Sequence, residues 1–155
     1  AWRIVVRGRQ THGAFPSNGV DPIVVSAEIV TALQTVVSRS LDLTQGPAVL
    51  TVGAIHGGLR ENIIPDSVWM IGTIRTFDAK AREKVGVRMK EIAQHIAAAH
   101  GATADVSVTL GYGSTINDAA LVGRLAPVLQ RVSAGKAFES KTQSMAGEDF
   151  SRFAN

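Results

Sequence analysis

Residues 78–112 read DAKAREKVGVRMKEIAQHIAAAHGATADVSVTLGY, and two periodicities within them decide the fold. Asp78 stands at an N-cap position, where a short carboxylate accepts from the free amides of a helix's first turn. Val85, Met89, Ile92 and Ile96 recur at helical spacing and form one apolar stripe. Lys80, Lys84, Arg88 and Glu91 are left for water. Gly101 follows His100 and suits the position past a helix end that calls for a left-handed backbone. From Ala104 the period drops to two. Ala104, Val106, Val108, Leu110 and Tyr112 alternate with Asp105, Ser107, Thr109 and Gly111, the pattern of a half-buried strand.

Upstream of this helix–strand pair, residues 68–77 and 48–55 both read as strands, the second following a Gly46-Pro47 turn signal. The loop between them, 56–66, contains Gly57-Gly58 and Pro65. It is too long for a two-residue hairpin turn, and long loops in compact domains are often functional. Asp21-Pro22 opens an earlier helix, with Asp as N-cap and Pro at the first helical position. Ile23, Ala27, Val30, Leu33 and Val37 give that helix an apolar stripe, and it should end near Arg39. At the start of the chain, Trp2, Ile4 and Val6 alternate with Arg3, Val5 and Arg7, another strand.

The order is β-α-β-β-α-β. An α+β, ferredoxin-like fold closes it, with a four-stranded antiparallel sheet and two helices on one face. Beyond it, Asn117-Asp118 caps a third helix with apolar Leu121, Val122, Leu125, Val128, Leu129 and Val132. Residues 133–155 have little periodicity. The expected division is one domain over 1–114 and part of another over 115–155. A strand already under way at Ala1 and a helix just starting near Asp149 read as a segment of a longer protein.

Composition limits the function classes. With 45% hydrophobic and 19% charged residues, the chain is ordinary for a globular protein and not for a disordered one. No apolar run approaches the ~20 residues of a membrane span, so no membrane partner is expected. The excess of 16 basic over 13 acidic residues is small and forms no cluster, so no nucleic-acid partner is expected. There is no Cys, hence no disulfide, thiolate nucleophile or Cys-ligated zinc; this composition suits a cytoplasmic setting.

Among the four histidines, His95 and His100 sit on or at the end of the second helix, where the helix dipole accounts for them. His56 reads as a loop residue after a strand. His12 lies in Thr11-His12-Gly13-Ala14-Phe15-Pro16, where small neighbours let a ligand come close. It is either a donor to a developing oxyanion or a turn histidine satisfied by its own backbone, and the spacing does not decide. Arg75 is either a strand-end ion-pair residue or a bidentate carboxylate clamp. Asn62, in the long loop, suits the same binding task or an ordinary turn. No serine has a nucleophile-elbow setting, and no metal-ligand motif is present.

These motifs resemble the M20 metallopeptidase and aminoacylase family, most nearly its hippurate hydrolase and auxin-conjugate hydrolase branch. Gln10-Thr11-His12-Gly13-Ala14 with Pro16 and Gly19-Val20-Asp21-Pro22-Ile23 is similar to the entry into that family's lid domain. Asn62-Ile63-Ile64-Pro65-Asp66, Gly72-Thr73-Ile74-Arg75-Thr76-Phe77-Asp78, Gly111-Tyr112 with Asn117-Asp118, and Met145 with Gly147-Glu148-Asp149-Phe150 continue it in order. Gly113 stands where relatives often have Pro.

The resemblance implies a dimerisation or lid domain inserted in a metal-dependent amidohydrolase acting on N-acyl amino acids or dipeptide-like substrates. It implies a homodimer formed through the lid, with His12 reaching the partner's site to stabilise the oxyanion. Asn62 and Arg75 would bind the substrate's carboxylate or backbone. Two divalent metal ions, zinc with manganese or cobalt as alternatives, would sit in a part of the parent outside this chain. This chain alone would hold no cofactor and be inactive; Glu148 and Asp149 receive no role. The competing reading is a stand-alone ferredoxin-like module that binds RNA or a small ligand. It is disfavoured by an aromatic content of 5% and by central strands offering only Trp69 and Phe77.

Overall fold

A computed structural model describes residues 1–109, 111–137, 142–147 and 149–154. These fall into two compact units, Ala1–Gly111 and Tyr112–Asn155. In the first, β1 (Trp2–Arg7), β3 (Ala48–Gly57), β5 (Ser67–Thr76) and β6 (Thr103–Val108) form a four-stranded sheet in the order β3-β5-β1-β6. Every pairing is antiparallel. Helices α1 (Pro22–Ser40) and α2 (Ala79–Ala99) supply the other layer, and the core between the layers is one cluster. This is the expected ferredoxin-like α+β architecture.

Alternation sets the register. Trp2, Ile4 and Val6 are buried and face the helices, while Arg3 and Arg7 are exposed. Gly72 pairs with Trp2 because the indole lies where a side chain at 72 would have to go. β6 is shorter than its alternation suggests. Its last ladder pair is Val108 with Trp2, and beyond Trp2 the neighbouring strand has ended. Thr109 N–H then donates to Ala1 O at 2.9 Å, and Gly111 and Tyr112 are not strand. Leu110, expected on this strand, lies outside the described residues, as does Glu148.

Asp21 caps α1, its Oδ1 accepting from Ile23 N–H at 2.8 Å and Val24 N–H at 3.4 Å. The buried stripe of α1 is Val25, Ile29, Leu33 and Val36, rotated from the expected one; of that stripe's residues only Leu33 is fully buried, and Ile23 is 45% exposed. Apolar residues come in adjacent pairs on this helix, so two registers fit the spacing. By length and composition α1 is long and apolar enough to cross a membrane, with a mean hydropathy of 1.2. Its buried stripe instead joins the core cluster beneath the sheet.

Asp78 caps α2 by accepting from Lys80 N–H at 2.9 Å. Val85 and Met89 are fully buried as expected, together with Ala93 and Ala97, while Ile92 and Ile96 pack at the edge of the core. Gly101 takes a left-handed φ of +71°. In the second unit, Asp118 caps α3 (Ala119–Val132) by accepting from Leu121 N–H at 2.7 Å. The expected apolar face of α3 is exposed along its whole length, from Leu121 to Val132. A short helix, α4 (Ser151–Ala154), follows.

Candidate functional site

The central strands do not stop at the end of the sheet. β1 pairs with β5 as far as Arg7 and Ser67, and Gly8 N–H then donates to Asp66 O at 2.8 Å. Beyond this point the same two chain segments pair again. β2 (Thr11–His12) lies antiparallel to β4 (Ile63–Ile64), with Thr11 opposite Ile64 and His12 opposite Ile63. Gly13 N–H closes the ribbon onto Asn62 O at 2.8 Å. Two residues selected from distant parts of the sequence, His12 and Asn62, therefore sit together at its tip. Gly13 suits the close approach there, because a Cβ at 13 would come to 3.2 Å from the Asn62 carbonyl oxygen and press the ribbon apart by a few tenths of an ångström.

The loop from His12 back to α1 is braced by its own backbone. Phe15 N–H donates to His12 O at 2.8 Å, and Arg9 and Val20 exchange a backbone pair at 2.9 and 3.0 Å. The Thr11 hydroxyl donates to Phe15 O at 3.1 Å. Ala14 N–H donates to His12 Nδ1 at 3.0 Å. An imidazole nitrogen that accepts carries no proton, so the neutral ring holds its proton on Nε2. The Phe15 ring stands 5.8 Å from the imidazole, tilted by 52°. The backbone contact of the turn-histidine reading is present at Nδ1, and it leaves Nε2–H for another acceptor. His12 and Asn62 are both exposed.

Arg75 is not brought to this tip. It faces solvent on β5 opposite Val49, eight positions from Ser67, or roughly 27 Å at strand rise. His56 lies in β3, not in a loop as its sequence context suggested. Its ring stacks on Trp69 at 4.3 Å, and the Arg3 guanidinium lies 4.6 Å from the same indole. His95 Nδ1 pairs with Glu91 O one turn back on the same helix at 2.7 Å, and His100 Nε2 pairs with Glu28 at 3.0 Å, tying the end of α2 to α1. Among the described residues no three His, Cys, Asp or Glu side chains converge as a metal centre would need. The described residues therefore do not by themselves make up a dinuclear metal site.

Beside the ribbon tip is an open groove of about 520 Å³, bordered by Gly13, Ile23, Leu59, Arg60 and Ile64. Leu59 and Arg60 were not singled out by sequence reasoning. Their signal was the loop itself, whose length was noted without a role for its residues.

Residues 1–102 match the M20 profile described as a peptidase dimerisation domain. The chain is 39% identical to an N-acetyl-L-cysteine deacetylase of Bacillus subtilis, over 98% of this chain and 36% of that protein. It is 36% identical to thermostable carboxypeptidase 2 of Saccharolobus solfataricus, over 99% of this chain and 38% of that protein. A solved Bacillus subtilis structure, described as a dinuclear metal binding peptidase from the M20 family, superposes with a TM-score of 0.73 at 29% identity. That match covers 98% of this chain and 36% of the solved one. The chain thus spans little more than a third of the length of these relatives. With a ferredoxin-like sheet, a His12–Asn62 ribbon and a profile match over most of its length, the chain belongs to the M20 family and carries its peptidase dimerisation domain.

Proposed function

We propose that this chain is the dimerisation and lid portion of a metal-dependent amidohydrolase that cleaves N-acyl amino acids or dipeptide-like substrates. One observation carries the reading: His12 has Nδ1 engaged by Ala14 N–H and offers Nε2–H from a braced ribbon. A donor fixed in place before reaction stabilises the oxyanion of a tetrahedral intermediate without reorganisation cost. Asn62, held beside it through its carbonyl, presents its side-chain amide to the substrate's backbone or carboxylate. The metal ions of the parent, zinc with manganese or cobalt as alternatives, belong to its remainder and supply an activated water when bound. Residues 115–155 are proposed as part of that catalytic remainder, and the cytoplasm as its compartment.

The homodimer of this reading forms through β3. This edge strand has ten residues and carries no Lys, Pro or acidic residue, three of the devices that block edge-to-edge pairing, while a bulge between Val52 and Ala54 divides it into two regular stretches. The opposite edge, β6, is shorter and contains Asp105. Antiparallel pairing of two β3 edges about a two-fold axis sets Gly57 of one protomer beside the start of β3 in the other. Arg75 of the partner subunit then lies one strand further, about 10 Å away at normal strand spacing. The dimer would thereby bring an Arg75 to the end of the sheet from which the His12–Asn62 ribbon extends, where its guanidinium would clamp the substrate carboxylate.

RNA binding is the weaker reading. An RNA-binding sheet needs an aromatic face free for stacking, and Trp69 already has His56 and Arg3 against its ring.

The test is hydrolysis of hippurate and N-acetyl amino acids by the full-length parent with zinc, manganese or cobalt. His12→Ala should lower kcat about 10²–10³-fold with the fold intact, and the pure 155-residue chain should show no turnover. Turnover by the short chain, or a full-length His12→Ala variant with unchanged kcat, overturns the reading.

A further inference from the structure

We propose that Leu59 is a specificity residue, closing on the apolar group of the amide substrate beside His12 and Asn62; this rests on the amidohydrolase reading above. Leu59 has no cover from its own domain, with an exposure of 102%. Its loop is nevertheless fixed at both ends. Gly58 turns the chain with φ +80°, Ile63 N–H donates to Arg60 O at 3.4 Å, and Gly13 N–H holds Asn62 O. A leucine held out on a braced loop, three positions from a substrate-binding residue, gains an apolar contact only when something fills the space beside it.

That space is the groove of about 520 Å³, within the size range of small-molecule sites. Ile23, Leu59, Ile63 and Ile64 give it an apolar side, Arg60 and Glu61 line it as charged neighbours, and Gly13 belongs both to the groove and to the His12–Asn62 ribbon. Asp21, the acid at the α1 end of the groove, is turned to the helix, where its Oδ1 accepts from the amides of Ile23 and Val24. The occupant we assign is the acyl group next to the scissile amide. Continuity with the ribbon places that group within reach of Leu59 while the carbonyl meets His12.

Hippurate and N-acetylglycine share an amino acid and differ only in the acyl group, so the ratio of their kcat/KM values reads the acyl subsite directly. In the full-length parent, Leu59→Ala should lower the hippurate to N-acetylglycine ratio at least ten-fold, the scale of one apolar contact in a selective pocket. Leu59→Met should restore most of it. Val87→Ala, an equally apolar but remote exposed position on α2, should leave it unchanged. A ratio within two-fold of the parent's in Leu59→Ala overturns the proposal. So does loss of the dimer in sedimentation velocity, since the groove would then belong to a second copy. If His12→Ala abolishes turnover while Leu59→Ala leaves the ratio intact, only this inference fails. If the parent cleaves neither substrate, the amidohydrolase reading fails with it.

Discussion

The amide N–H of Ala14 donates to Nδ1 of His12 at 3.0 Å, which fixes the tautomer of the ring before any substrate arrives. Nitrogen NMR of the chain above the histidine titration range should show His12 predominantly as the Nε2–H tautomer. A ring with its proton on Nδ1 would remove the donor that the proposed chemistry needs. Ala14→Pro, which deletes the amide donor, should randomise the tautomer and, in the parent, lower kcat more than it raises KM.

A second prediction concerns the edge of the sheet. Thr51 lies near the middle of β3 and is exposed. Thr51→Lys sets two like charges close together across a two-fold axis, a known way of blocking strand pairing. Sedimentation velocity should show a dimer for the wild-type chain and a monomer for the variant, with unchanged far-ultraviolet circular dichroism. Thr103→Lys, on the β6 edge, should remain dimeric. A wild-type monomer, or a dimer lost only with Thr103→Lys, would move or remove the interface.

Within the core, the hydroxyl of Ser26 is fully buried and has no hydrogen-bond partner among the described residues. An unsatisfied buried hydroxyl costs roughly 1–3 kcal/mol. Ser26→Ala should therefore stabilise the domain by about 1 kcal/mol, raising Tm by about 4 °C. A drop in Tm would show that the hydroxyl is stabilising where it stands.

Acid should loosen one turn before the rest. Asp42 accepts from the Thr44 hydroxyl at 2.6 Å, the Thr44 amide at 3.0 Å and the Gln45 side chain at 3.3 Å. These hold its carboxyl below the ordinary value of 3.8, the Thr44 hydroxyl most of all. A depressed folded-state pKa contributes stability above the unfolded value and loses it as pH falls through the folded one. Protection of the Thr44 amide relative to its intrinsic exchange rate should fall below pH 3.8, and Asp42→Asn should remove that pH dependence of protection. Protection that stays constant in the native protein would contradict the assignment.

The main elements were legible because each carries a long, regular pattern. The Trp2–Ile4–Val6 alternation, the Asp21 and Asp78 caps and the Val85–Met89 stripe all emerge as read. Sequence reasoning went astray where local pattern was ambiguous or tertiary pairing decided the outcome. Adjacent valines left the rotation of α1 open, and the end of β1 at Trp2 cut β6 short of Tyr112. The site was partly legible: His12 and Asn62 stood out by residue type and context. Their meeting did not, because β2 and β4 are two residues each, too short for any periodicity. Nor could spacing reveal that Arg75 lies at the other end of its strand.

The continuation of β1 and β5 into β2 and β4 makes His12 the end of a cantilever. Its root is the central pair of strands, clamped by Ile4, Val6 and Met70, which are fully buried. The imidazole is aimed by the twist of the whole sheet, so a change deep in the core can misdirect it without touching the loop. In the proposed dimer, cavity-forming substitutions at Met70 would thus act on the far subunit's chemistry through leverage, a distance effect that a hinge-mounted histidine would not transmit.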